Sequence, residues 1–240
     1  MQRVDAPEIL DSDTCSNEEV EIVMRDLGMV NRWFGGVATT QKMLERVAQS
    51  CGAQRLSLLE VAAGSGELSR RVQQNLARRG IALDITLLDR ARSHLADEIR
   101  TGPIHTIVGD GLTLPFSDRA FDVVSCNLFA HHLDAQQLPR FVREGWRVSR
   151  HALLINDLVR HPLHLGLVYA SRPIMRSRIA WLDGVTSVRR AYVPDEMQSM
   201  IASALSSQDG VQIEITRHYL YRMGVIVWKG AAETGRHIRV

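Results

Sequence analysis

Lysine is nearly absent from this 240-residue chain: of its 29 basic residues only Lys42 and Lys229 are lysines. The arginines are scattered, in pairs such as Arg70-Arg71, Arg78-Arg79 and Arg189-Arg190. That dispersal describes a solvated helix surface, whereas a nucleic-acid stripe would be clustered and interleaved with aromatics. Cysteine is also scarce. Cys15, Cys51 and Cys126 fall in no CxxC or paired spacing, which excludes a disulfide framework and a cysteine metal site and implies a reducing compartment. No apolar run approaches the ~18 residues of a spanning helix. The N-terminus is acidic and polar where a signal peptide would be basic and then apolar. A cytoplasmic protein without a membrane span is therefore expected. Internal repeats and low-complexity segments are absent as well. What remains is 45% hydrophobic and 23% charged residues, the composition of an ordinary globular chain long enough to bury a proper core.

Residues 1–16 read as polar and loose, and 231–240 as a frayed tail. Between 17 and 50 apolar residues recur at helical spacing (Val20, Val23, Met24 and Leu27, then Met43, Leu44 and Val47), interrupted by "NRWFGG". Two helices with a glycine joint are expected. From 56 on, strand-like segments alternate with helix-like ones, the pattern of a parallel sheet. The strands expected are "LSLLEVA", "ALDITLLD", "IHTIVG", "FDVVSCN" and "HALLIND", with helices near 67–79, 91–100 and 135–148. After Asp157 a long apolar, helix-like stretch runs to about 193, followed by a helix with Pro194 near its start. Two last strands, "VQIEITRHYL" and "MGVIVWK", are close enough to pair as an antiparallel edge.

The segment "LLEVAAGSGEL" at 58–68 places an acid after a buried strand and two glycines before a helix. Such a turn lets a ligand approach the backbone at a helix N-terminus. It is not a P-loop, since no GK[ST] follows Gly66, and not the G-x-G-x-x-G of a dinucleotide site, since Ser69 holds the third position. Glu60 would moreover repel a pyrophosphate. Asp89 ends the second expected strand, where an acid can accept ribose hydroxyls. Asp110 closes the third, where an acid can accept an adenine amino group. With no phosphate-binding device, the ligand implied is an adenosine with a cationic, phosphate-free tail.

These residues resemble class I S-adenosylmethionine-dependent methyltransferases. "EVAAGSG" is similar to the family's E/D-x-G-x-G-x-G turn, with Ala62 in place of the first glycine. Asp89 matches the ribose acid and Asp110 the adenine-side acid, and "LPFSDRAFDVV" matches the segment leading into the fourth strand. Within the family the similarity is greatest to the ubiquinone/menaquinone-biosynthesis type and related natural-product enzymes. The resemblance implies an α/β, Rossmann-like seven-stranded sheet, mostly parallel with an antiparallel last strand, helices on both faces and an N-terminal helical lid. It implies a lid over 1–54, a methyltransferase domain over 55–230 with an acceptor cover near 160–193, and a tail over 231–240. The cofactor would be S-adenosylmethionine, leaving as S-adenosylhomocysteine. Its contacts would be Glu60, Ala62, Gly64, Gly66, Asp89, Arg90, Asp110, Gly111 and Asn127. The partners expected are a small apolar acceptor carrying a hydroxyl, no nucleic acid, and at most a second copy of the chain, as monomer or homodimer.

"CNLFAHHLD" follows the fourth strand, at the edge where ligands bind in open α/β sheets. His131 and His132 are candidates for a general base, since an imidazole of pKa ~6.5 suits proton removal at neutral pH. Adjacent residues point in different directions, so one of the two at most is expected to face substrate. Asp157, ending the fifth strand, is a candidate to orient a substrate hydroxyl or assist the base. Trp33 and Phe34 fit the lid. His161, His164 and Tyr169 read as packing residues, and Asp122, at the wrong end of its strand, as structural. Metal-dependent quinone-type relatives carry glutamates beside a histidine in the loop after the fourth strand. This loop has none, so no metal is expected. Methyl transfer, with O-methylation ahead of C-methylation, stands against an NAD-dependent oxidoreductase and a non-catalytic cofactor-binding fold.

Overall fold

The computed structural model describes residues 1–11, 17–92, 104–218 and 221–230. Two N-terminal helices, α1 (Asn17–Trp33) and α2 (Gly36–Cys51), precede β1 (Arg55–Val61), α3 (Glu67–Ala77), β2 (Ala82–Asp89), β3 (Ile104–Val108) and β4 (Phe121–Asn127). Then come α4 (Gln137–Val148), β5 (Ser149–Leu158), α5 (Pro162–Ala170), α6 (Arg178–Arg190), α7 (Pro194–Ala204), β6 (Val211–His218) and β7 (Arg222–Lys229). The helix expected near 91–100 lies outside the described residues except for its first positions, as do the side chain of Trp33 and the tail 231–240.

The strands form one seven-stranded sheet in the order β3-β2-β1-β4-β5-β7-β6. β1 to β5 pair in parallel, and β7 is antiparallel to both β5 and β6. Strands covered by helices on both faces read as continuous apolar runs rather than alternations. "ALDITLLD" and "FDVVSCN" are such runs, with bounds as expected. One face packs against Phe141 and Trp146 of α4 and Met197 and Ile201 of α7. The other packs against Met43, Leu44 and Val47 of α2 and Val72 and Leu76 of α3. Among the described residues no helix is long and apolar enough to cross a membrane.

The last two strands pair antiparallel at the edge of the sheet, as expected, with β6 outermost and β7 against β5; all residues of β7 but the last are buried. One expectation is corrected: residues 1–11 are not loose. Arg3 donates to the carbonyls of Arg190 (2.6 Å), His131 (3.1 Å) and Leu133 (2.9 Å), and its guanidinium lies 4.3 Å from the Tyr192 ring centre. The Asp183 carboxylate accepts from the backbone N–H groups of Ile9 (2.7 Å) and Leu10 (3.1 Å). At one end of this strap the Arg3 side chain finds backbone carbonyls on α6 and the loop after β4, and at the other the strap's own backbone N–H groups find a carboxylate of α6, which is why a polar segment docks.

The chain passes from β1 to β2 and β3 on one side and returns to β4 on the other side of β1. The carboxyl ends of β1 and β4 therefore flank a crevice, the place where open α/β sheets bind ligands.

Candidate active site

The turn leaving β1 is built from left-handed backbone. Ala62, Gly64 and Gly66 have φ of 55°, 53° and 67°, and Gly66 caps α3. A left-handed alanine costs ~1–2 kcal/mol, partly offset by its smaller loss of chain entropy. Ala62→Gly is thus expected to stabilise the fold by about 0.5–1 kcal/mol. Differential scanning calorimetry should register a melting point roughly 2 °C higher; an unchanged or lower one would mean that the turn is not strained. A Cβ on Gly64 would meet nothing nearer than Met24 Sδ at 4.0 Å, so the space beside this peptide is open. The Asp89 carboxylate braces the turn, accepting from Gly64 N at 2.8 Å and from Ala91 N at 3.0 Å. Asp110 lies two residues beyond β3 and is exposed, its Oδ1 accepting from Leu112 N at 2.9 Å.

Glu60 is only 2% exposed. Its carboxylate accepts from Ser125 Oγ and, at 2.6 Å, from Asn127 Nδ2. Burial raises its pKa to about 7 despite these two donors. From Asn127 a buried polar chain crosses the sheet edge. Thr40 Oγ1 donates to Asn127 Oδ1 (2.6 Å), Asn156 Nδ2 to Thr40 Oγ1 (2.8 Å), and Arg222 Nη1 to Asn156 Oδ1 (3.1 Å). Arg222 also donates from Nε to the carbonyl of Phe34 at 3.1 Å, in the joint between α1 and α2. The acid of the turn is thereby tied to the N-terminal helices. Sequence reading missed Thr40, Ser125 and Arg222, because a hydroxyl on a helix and an arginine opening a strand carry no motif.

Beyond β4 a short 3-10 helix, Ala130–His132, presents both histidines. Their rings lie 4.3 Å apart and both side chains face one carboxylate, Glu8 of the N-terminal strap. This corrects the expectation that neighbouring histidines diverge: the tight turn tilts the rings by only 36°. His131 Nδ1 sits 2.7 Å from Asp157 Oδ1, its backbone N–H donates to Asp157 Oδ2 at 2.9 Å, and its Nε2 faces Glu8 Oε1 at 3.4 Å. Burial alone would favour a neutral ring. The Asp157 carboxylate, and after it Glu8, outweigh burial and raise the His131 pKa to about 10. Despite their own burial, Asp157 and Glu8 are in turn held below the usual carboxylate range, chiefly by His131. Glu8 was not foreseen, since a lone acid in a polar N-terminal stretch carries no signal.

A single cavity of about 1250 Å³ joins these groups. All nine residues expected on the cofactor side line it except Gly66, which lies behind the turn as the helix cap. His131, His132 and Glu8 line it too, whereas Asp157 stands behind His131 and is 1% exposed. Phe34, Leu167, Ile174 and Trp181 close the other side. His164 also borders it. Its ring and that of His161, which caps α5, stack on Tyr221 at 5.4 and 4.7 Å. Asp122 is structural: it accepts from Ser57 N and Oγ, both at 2.8 Å, and pairs with Arg150.

Residues 58–152 match a family described as a methyltransferase domain. Over 101 residues the chain is 31% identical to the ubiquinone/menaquinone biosynthesis C-methyltransferase UbiE of Dinoroseobacter shibae. That alignment spans 41% of this chain and 39% of its relative, so only about two fifths of the relative's length is represented. Among solved structures, a methyltransferase from Aquifex aeolicus described as S-adenosylmethionine-dependent superposes with a TM-score of 0.60 at 13% identity, over 90% of this chain and 99% of that one. Human N-acetylserotonin methyltransferase, crystallised with S-adenosylmethionine, superposes with a TM-score of 0.66 at 14% identity, over 95% and 61%. At such identities the superpositions show the fold. Residues 58–152 are thus similar to a methyltransferase domain, and the chain has the fold of these S-adenosylmethionine-dependent methyltransferase structures.

Proposed function

We propose that this chain transfers the methyl group of S-adenosylmethionine to a hydroxyl of a small apolar acceptor, phenolic polyketide-like or quinol-like. The observation that carries this reading is the cavity. At about 1250 Å³ it exceeds the ~300–1,000 Å³ of a usual ligand pocket, so it has room for a cofactor and a second molecule side by side. Its cofactor end has the carboxylates of Glu60, Asp89 and Asp110 and open backbone at Gly64, which suits an adenosine with a cationic tail. Its other end is walled by apolar side chains around His131 and His132, with residues 1–54 as lid and 160–193 as acceptor cover.

The chemistry asks mainly for position and dryness. The acceptor oxygen forms a bond to the methyl carbon, the S–CH₃ electrons return to sulfur, and the hydroxyl proton leaves through the histidine cluster. His131, oriented by Asp157, takes that proton only in its neutral form: with a pKa of about 10 the ring is protonated at neutral pH in the empty site, and the acceptor must first displace Glu8 from Nε2 and the ring lose that proton to solvent. Asp89→Ala is expected to weaken S-adenosylmethionine binding by about 1–3 kcal/mol, the usual consequence of leaving buried polar groups unpaired. Unchanged affinity by calorimetry in a folded variant would remove Asp89 from the site. An acceptor screen with isotopically labelled cofactor, read by mass, tests the whole reading. A carbon-methylated product would replace O-methylation, and stabilisation by NAD but not by S-adenosylhomocysteine would overturn the cofactor.

A further inference from the structure

Glu8 meets His131 and His132, more than 120 residues further along the chain, in the cavity. The geometry points to a divalent-cation site made of these three side chains, with an open position facing the acceptor. His131 Nε2 lies 3.4 Å from Glu8 Oε1 and His132 Nε2 3.7 Å from Glu8 Oε2, and one ligand atom from each residue can be chosen within 4.8 Å of the others. A charge-assisted hydrogen bond between such groups would close to ~2.7–2.9 Å. Ligands ~2.0–2.1 Å from a tetrahedral ion stand about 3.4 Å from one another. The two histidine–Glu8 separations, one to each carboxylate oxygen, lie near the second spacing.

The supporting contacts suit that assignment. A metal-bound histidine characteristically gives its other ring nitrogen to a carboxylate, which fixes the tautomer and the ring. Asp157 takes that place on His131 Nδ1 at 2.7 Å. Ser187 Oγ donates to Glu8 Oε1 at 2.8 Å, and the carbonyls of His131 and His132 are held by Arg3 (3.1 Å) and Arg190 (2.6 Å). Two imidazoles and one carboxylate select a zinc-like ion over magnesium or calcium, which prefer all-oxygen sets. The expectation of no metal looked for glutamates within the loop after β4; the carboxylate arrives instead from the strap.

The inference rests on the proposed function only in naming what meets the open position, the acceptor's hydroxyl oxygen. With an ion bound, His131 Nε2 would be a ligand and not the base; the ion would lower the hydroxyl's pKa, and the proton would leave to solvent. The test uses the full chain without an affinity tag, stripped with a chelator and titrated with Co²⁺, followed by calorimetry and by the visible absorption of tetrahedral cobalt. One Co²⁺ per chain is expected, weakened at least ~10²-fold by Glu8→Gln or His132→Gln and ~10–100-fold by Asp157→Asn, the usual effect of losing an outer partner. Circular dichroism checks that each variant folds. S-adenosylmethionine binding is measured separately on the metal-free protein, so failure of the cofactor reading and failure of the cation site are told apart. Absence of Co²⁺ binding at millimolar metal, or binding of equal strength in folded Glu8→Gln and His132→Gln, overturns the site.

Discussion

His131→Ala is expected to lower turnover on a hydroxylated aromatic by at least ~10²-fold, within the ~10²–10⁴-fold range of acid–base assistance, while cofactor affinity stays within a few fold. His131 is the group in the cavity whose orientation is set twice over, by Asp157 on its ring and by the same carboxylate on its backbone N–H. A phenol of pKa ~10 is mostly protonated at neutral pH, so removal of this side chain leaves the nucleophile undeveloped. Activity of the variant should recover in part as pH rises and the phenol ionises unaided. Recovery with pH is the part of the prediction that a merely structural histidine would not reproduce. Asp157→Asn should reduce turnover in the same sense, because the amide no longer fixes the tautomer that points Nε2 into the cavity. If His131→Ala and His132→Ala both turn over at near the parent rate, hydroxyl activation does not occur at this cluster and positioning alone accounts for catalysis.

The strands and the cofactor turn were legible because their signals are local. A strand covered on both faces must be apolar along its length, so "FDVVSCN" announces itself, and a turn of alternating left-handed residues must be rich in glycine, so "AGSG" does too. The antiparallel pairing of the last two strands was legible, but which of them lies outermost was not, because that depends on partners distant in sequence. The acceptor side is harder for the same reason. Glu8, Thr40 and Arg222 acquire meaning only from what stands opposite them, and each is an ordinary residue in an unremarkable local context. The two histidines were found from their position after β4, but their convergence on one carboxylate needed the strap, whose polar sequence gives no sign that it docks.

Glu60→Gln is expected to change both stability and cofactor binding, in opposite directions and with opposite pH dependence. In the fold the Glu60 carboxyl has a pKa of about 7, against an ordinary value of 4.5, because burial disfavours its charge. Below pH ~4.5 the group is protonated folded or unfolded and contributes no difference. Between the two values the unfolded chain ionises while the folded one does not, so the ligand-free protein loses stability as pH rises, by ~3 kcal/mol in all, and above about 7 the loss is complete. Glutamine keeps the shape and stays neutral. The variant, free of ligand, should therefore lose less stability between pH 5 and pH 8 than the parent, as urea melts at the two pH values would show. A cationic ligand reverses the balance, since it binds the ionised carboxylate. Parent affinity for S-adenosylmethionine should rise from pH 5.5 to pH 7 and the variant's should not, with the variant weaker at pH 7 by ~10-fold or more, in keeping with the ~1.4 kcal/mol that a single unit of pKa shift represents. A buried acid that costs stability in the empty protein is intelligible if a positive charge is its intended neighbour. Equal affinities and parallel pH profiles for the two proteins would show that Glu60 holds the sheet edge together and takes no part in binding the cofactor.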